Sequence, residues 1–161
     1  MRKIFAWSYN ALAAIAGGLA VIATQSPAAE SGRNGLELIR VEIQIDRLVD
    51  GRDAEISRAA RTLLEHWGTR RYLAEFKAPL NIDPQAEAKD DDRLEGEMKS
   101  VAEIGVARTE AAGLTEYRPK VTQCLSDYDI CGKDARSRFA CISISTMCIA
   151  TTLIPFVEGS R

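Results

Sequence analysis

The chain has 161 residues, with 21 Lys and Arg against 23 Asp and Glu and a single histidine. This slightly acidic balance argues against nucleic acid or an anionic membrane surface as the main partner. The length suits one domain able to bury a core of its own.

Residues 1–28 read as a secretory signal. Arg2 and Lys3 form a positive start, residues 4–25 carry no charge, and residues 11–23 are small and apolar. Ser26 and Ala28 then stand at the small-residue positions of a cleavage site. Cleavage after Ala28 is expected, leaving 133 of the 161 residues with 19 basic and 23 acidic side chains. The alternative is an uncleaved anchor, because ~20 uncharged residues can span a bilayer. No cysteine ends the apolar run, so a lipid-attached form is not expected. The chain is therefore expected to be periplasmic or secreted.

The pattern over residues 35–50 places Leu38, Val41, Ile45 and Leu48 at steps of three and four, with Asn34 before them and Gly51 after. It predicts an amphipathic helix, although the alternation Val41, Ile43, Ile45 also fits a strand. Asp53 can cap a second helix through His66, with Ile56, Ala60, Leu63, Leu64 and Trp67 inward and Gly68 as its stop. Thr69 then opens a short third helix carrying Tyr72, Leu73 and Phe76 and ending before Pro79. Asp83-Pro84 is a start signal, Asp as N-cap and Pro at the first helical position. The helix it opens is predicted to run to Ala112, with Leu94, Met98, Val101, Ala102 and Gly105 as a thin apolar stripe. Residues 81–116 hold ten acidic and four basic residues, so much of that helix should be solvated.

All four cysteines lie in the last third. Thr115 and Glu116 open a helix that tolerates Pro119 in its first turn and closes at Gly132. Asp134 is expected to cap the last helix, which reaches the neighbourhood of Pro155. An even cysteine count in an exported chain implies disulfides, and four cysteines allow three pairings. Cys124 and Cys131 are seven residues apart, as are Cys141 and Cys148, so on helices each pair shares a face. Two antiparallel helices would then bond as nested rungs, Cys131 with Cys141 near the turn and Cys124 with Cys148 further out. A zinc site lacks the close C-x2-C spacing it would need. Residues 139–157 contain no charge. They fit a buried core helix, with a lipid-facing segment or one or two buried strands as alternatives.

The fold expected is all-α: a small bundle of five or six helices with a disulfide-stapled C-terminal hairpin. Residues 29–113 form the helical region and 114–161 the hairpin, as one domain.

No catalytic, cofactor or metal motif emerges. His66 would have to serve any Ser-His or Cys-His nucleophile, and its place at a predicted helix end suits a dipole role instead. No G-x-S-x-G or S-x-x-K occurs. Asp90, Asp91 and Asp92, with Glu95 and Glu97, suggest a calcium loop, but Glu95 stands where an EF-hand needs Gly; a solvated acidic face is expected.

The segment Cys124-Leu125-Ser126-Asp127-Tyr128-Asp129-Ile130-Cys131-Gly132, followed by Cys141 and Cys148, loosely resembles the active-site helix pair of secreted phospholipases A2. The resemblance implies two stapled antiparallel helices, with Asp129 matching the calcium-binding aspartate. Tyr128 stands in the place of the catalytic histidine, the first cysteine spacing is off by one, and the glycine-rich calcium loop is missing. The scaffold is implied, the activity is not.

The expectation for function is a non-enzymatic exported binding or accessory protein, a subunit, inhibitor or immunity-type protein, acting on another exported or envelope protein. Two alternatives stand beside it. One is a precursor of a secreted, bacteriocin-like cysteine-rich peptide from residues ~115–161. The other is a membrane-associated partner using residues 139–157.

Overall fold

The structure is a computed structural model that describes residues 27–80, 83–133 and 137–159. The expected signal lies outside them except for Pro27 and Ala28, and so does Asp134. Five helices are described: α1 (Pro27–Val49), α2 (Ala54–Leu80), α3 (Pro84–Ala111), α4 (Tyr117–Cys131) and α5 (Arg138–Glu158). No strand occurs among the described residues.

In α1 the step of three and four prevails over the alternation. Val41, Ile45 and Leu48 are buried, while Ile43 is 52% exposed on the other side. The helix is described from Pro27, so Asn34, placed before it by the sequence pattern, falls inside it.

The expected break at Gly68 does not occur; α2 runs through it as one helix of 27 residues. A helical glycine costs only about 1 kcal/mol relative to alanine. On either side, Trp67 is fully buried and Arg70 is 4% exposed, held by partners on α3 and α5. These anchors hold the helix together. At its start Asp53 Oδ1 accepts from the amides of Glu55 and Ile56, both at 3.1 Å.

α3 has the expected start, with Asp83 accepting from the Gln85 amide at 3.0 Å and Pro84 next. The stripe Leu94, Met98, Val101, Ala102 and Gly105 is buried as expected. The last helix is capped by Ser137, whose hydroxyl accepts from the Ala140 amide. It ends at Glu158, in the expected neighbourhood of Pro155, and is capped by Gly159 in the left-handed conformation (φ 71°). The final turn holds because Val157 is buried, Phe156 packs edge-on against Tyr117 at 6.0 Å and Glu158 pairs with Arg47.

α5 is the central element: it packs on α1, α3 and α4, while α2 closes the bundle against α1 and α3. It is long and apolar enough to cross a membrane, yet half of its most apolar stretch is buried inside the bundle. Two disulfides tie it to α4, Cys124–Cys148 and Cys131–Cys141, each with Cα atoms 5.7 Å apart. The pairing is nested, inner rung near the turn. The bonds are consistent with an oxidising compartment.

Close approach of α3 to α5 depends on Gly105. A Cβ at that position would lie 2.4 Å from Leu153 Cδ1, and Leu153 is fully buried. Gly105→Val is therefore expected to destabilise the protein by about 2–3 kcal/mol through overpacking. Chemical denaturation would measure the loss, and Leu153→Ala in the same chain should recover part of it by making room.

Candidate functional site

α1 and α5 run side by side. Their C-terminal ends are joined by Arg47, which donates to Glu158 from Nε and Nη2 at 2.9 Å each. The Arg52 amide adds a bond to the Val157 carbonyl at 2.9 Å. Toward their N-terminal halves the helices leave an open groove of about 580 Å³, within the range of ligand and peptide sites. Its walls are Leu38 and Val41 from α1 and Phe139, Ile144 and Met147 from α5, with Ala74 of α2 at one side. Glu37 and Arg40 supply the charged rim. The Ser143 hydroxyl, also in the wall, is already committed to the Phe139 carbonyl at 2.7 Å. The groove thus offers apolar side chains and a two-sign rim.

An ionic seam sets the position of one wall. The Phe139 ring lies 5.4 Å from Trp67 and 4.3 Å beneath the Arg70 guanidinium. Arg70 in turn donates to Asp91 at 2.7 Å and to Glu87 at 2.8 Å. Next to Phe139, Arg138 pairs with Asp92 and Glu95 of α3. Glu95 also accepts from Lys99 at 2.6 Å and from the Tyr128 hydroxyl at 2.6 Å.

The electrostatics follow from these contacts. Burial pushes the Glu95 carboxyl upward, but hydrogen bonds from Lys99, Tyr128 and Arg138 outweigh it and hold the group at about 2. Burial and the bond to Glu95 push the Tyr128 phenol above its usual value. Because the folded value for Glu95 is depressed, its contribution is present above the unfolded value near 4.5 and is lost as pH falls toward 2. The contribution is expected to be no more than about 2 kcal/mol, since Lys99 and Arg138 are partly exposed. Glu95→Gln should therefore flatten the acid limb of a stability–pH profile between pH 4.5 and 2.

The residues singled out from sequence do not converge on one centre. His66 sits mid-helix rather than at a helix end, because α2 continues past it; its Nδ1 is 3.7 Å from Glu97. The run Asp90–Asp92 is not simply a solvated face: Asp91 is buried against Arg70, and Asp92 and Glu95 hold Arg138. Asp129 is exposed while Tyr128 turns inward to Glu95, so the phospholipase-like correspondence does not extend beyond a stapled helix pair. All four cysteines are bonded. Among the described residues, no three His, Cys, Asp or Glu side chains are placed to share a metal ion.

Sequence reasoning missed the groove and the Arg70 pin. A signal for the pin was present: Glu87 and Asp91 continue the Leu94–Met98 stripe backward at helical spacing, and acids on a core stripe require a buried cation. The groove had a weaker signal. Leu36, Ile39 and Ile43 form a second apolar stripe on α1, roughly opposite Val41, Ile45 and Leu48, and all three remain exposed.

Comparison with family models, with curated proteins and with solved structures finds no match to this chain.

Proposed function

We propose that the protein is an exported, non-enzymatic binding protein, and that its working surface is the α1/α5 face. The observation that carries this reading is the concentration of exposed apolar surface there. The groove is walled by Leu38, Val41, Phe139, Ile144 and Met147, of which Ile144 is 49% exposed, and beyond its Glu37/Arg40 rim Leu36, Ile39 and Ile43 form a second exposed apolar stripe on α1. Exposed apolar side chains gathered on one helix pair are retained mainly where a partner covers them. The partner would be another exported protein, because the signal-like N-terminus and the two disulfides both fit a chain that works outside the reducing cytosol.

The groove is bounded by helices whose backbone groups are bonded internally, and that fixes the form of the ligand. An extended peptide lying in it would bury unpaired amides, whereas a helix brings its own hydrogen bonds satisfied. The expected ligand is therefore an amphipathic helix presenting apolar side chains. Burial of α5 against α1 and α3 favours the intact chain as the active form over an excised 115–161 peptide, which would expose that surface.

The test is capture from the native envelope or medium with the exported protein as bait. A specific exported protein should be retained by the wild type and lost with Ile144→Glu, which changes an exposed groove residue. Recovery of the same proteins by both baits would contradict the reading.

A further inference from the structure

We propose that α4 is a redox-latched cover: reduction of the two disulfides by a dithiol frees this helix from a four-helix ring that stays folded without it. The latch is independent of the α1/α5 groove and of what binds there.

The topology sets α4 apart. α1 packs on α2 and α5, and α3 packs on the same two helices, so these four close a ring. The principal contacts of α4 are with α3 and α5 alone. Ile45 and Leu48 of α1, Leu63 of α2, Met98 and Val101 of α3 and Ile149 of α5 surround one point in the core, and α4 contributes nothing to it. Helices that share a core open together, whereas a helix docked outside it can open by itself.

The surface of α5 is divided in the same way. Ile142, Ile149 and Leu153 are fully buried on the side that faces the ring. Cys141, Ser145, Cys148 and Thr152 follow one another at steps of four, three and four along a different face. That face meets α4: Cys141 and Cys148 carry the bonds, and Thr152 Oγ1 lies 3.9 Å from Cys124 Sγ. Its four residues include no large apolar side chain for α4 to cover. On the other side the seat is open, with a cleft of about 300 Å³ between Ala102 and Val106 of α3 and Val121 and Leu125 of α4.

Besides sulfur, α4 is held chiefly by buried Val121, by Tyr117 against Phe156, by the Tyr128 hydroxyl on Glu95 and by the Arg118–Glu110 pair. A helix of 15 residues is marginal by itself in water, so its order depends on its docking. Without the two bonds these contacts are too few.

Opening the latch takes two thiol–disulfide exchanges. A thiolate of the dithiol attacks Cys148, the partly buried member of the outer rung, and displaces Cys124, which takes up a proton. The second thiol of the reagent then attacks the mixed disulfide, frees Cys148 and closes the reagent's own disulfide. Two electrons and two protons thus pass to the cysteine pair. The inner rung, Cys131–Cys141, is 9% and 0% exposed and follows by the same exchange once the outer one is open.

The test is hydrogen exchange read by mass spectrometry on the full exported chain, oxidised and after dithiothreitol without denaturant. Cys124→Ser/Cys131→Ser/Cys141→Ser/Cys148→Ser in one chain supplies a form that cannot re-latch. In the reduced chain and in this variant, α4 amides are expected to exchange at least about 100-fold faster than in the oxidised chain. Amides around Ile45, Leu63, Val101 and Ile149 should stay far better protected than those of α4, and reoxidation should restore α4. Protection of α4 unchanged by reduction overturns the proposal. So does loss of protection by all five helices together, or a pair of bonds that dithiothreitol opens only in denaturant.

Discussion

Reduction of both disulfides is expected to lower the unfolding midpoint by about 15–20 °C. The two bonds close sequence separations of 10 and 24 residues. Loops of that size correspond to about 3 kcal/mol each, and somewhat less than the sum for a nested pair. A loss near 5 kcal/mol is a large share of a typical domain's stability of 5–15 kcal/mol. The hairpin is the part that gains most from the staples. α4 is short, at 15 residues, and its buried side chains include Val121, Tyr128 and the two cysteines themselves. The effect should be read by calorimetry with and without reductant, alongside Cys131→Ser/Cys141→Ser and Cys124→Ser/Cys148→Ser variants. Each double variant is expected to lose about half of the total. A midpoint unmoved by complete reduction would mean that the α5 core alone holds the hairpin.

Arg70→Met is expected to cost about 3–5 kcal/mol, because it strands the buried carboxylate of Asp91. Arg70 is 4% exposed and joins three elements: its own helix, Asp91 and Glu87 on α3, and the face of Phe139 on α5. Removing it leaves an uncompensated charge in the interior and loosens the groove wall. The double variant Arg70→Met/Asp91→Leu should recover most of the loss, since an apolar replacement of a buried pair is often neutral or stabilising. Glu87 is less deeply buried than Asp91 and can turn toward water. Guanidinium titration of the single and double variants separates the outcomes. Equal stability of Arg70→Met and wild type would show that the seam contributes nothing net. A double variant worse than the single would mean that Asp91 has a role apart from Arg70.

How far the fold could be read from sequence depended on whether the deciding interaction was local. The start of α3 is local chemistry: Asp83 caps and Pro84 sits where its missing amide is not needed. The nested disulfide order was legible because seven residues is nearly two helical turns, which leaves few ways for two helices to share two rungs. Gly68 misled because the deciding contacts there are not local. A helical glycine is a genuine local breaker, and it was overridden by contacts distant in sequence, those of Arg70 with α3 and α5. The acidic run of α3 read as solvated because charge count alone does not reveal which acids fall on the core stripe. The groove depends on how two helices 100 residues apart diverge, and no local pattern encodes that spacing. What sequence could have offered was the second apolar stripe on α1, whose three exposed side chains have no explanation within the monomer.

The central claim is that the working protein is an exported chain whose α4 and α5 are locked by Cys124–Cys148 and Cys131–Cys141. Intact mass spectrometry of protein isolated from its native source, before and after reduction and alkylation, tests it most directly. The expected result is a chain beginning at Ala29 that takes up no alkylating agent until it is reduced and then takes up four equivalents. A native chain that retains Met1 and presents four free thiols would contradict the claim.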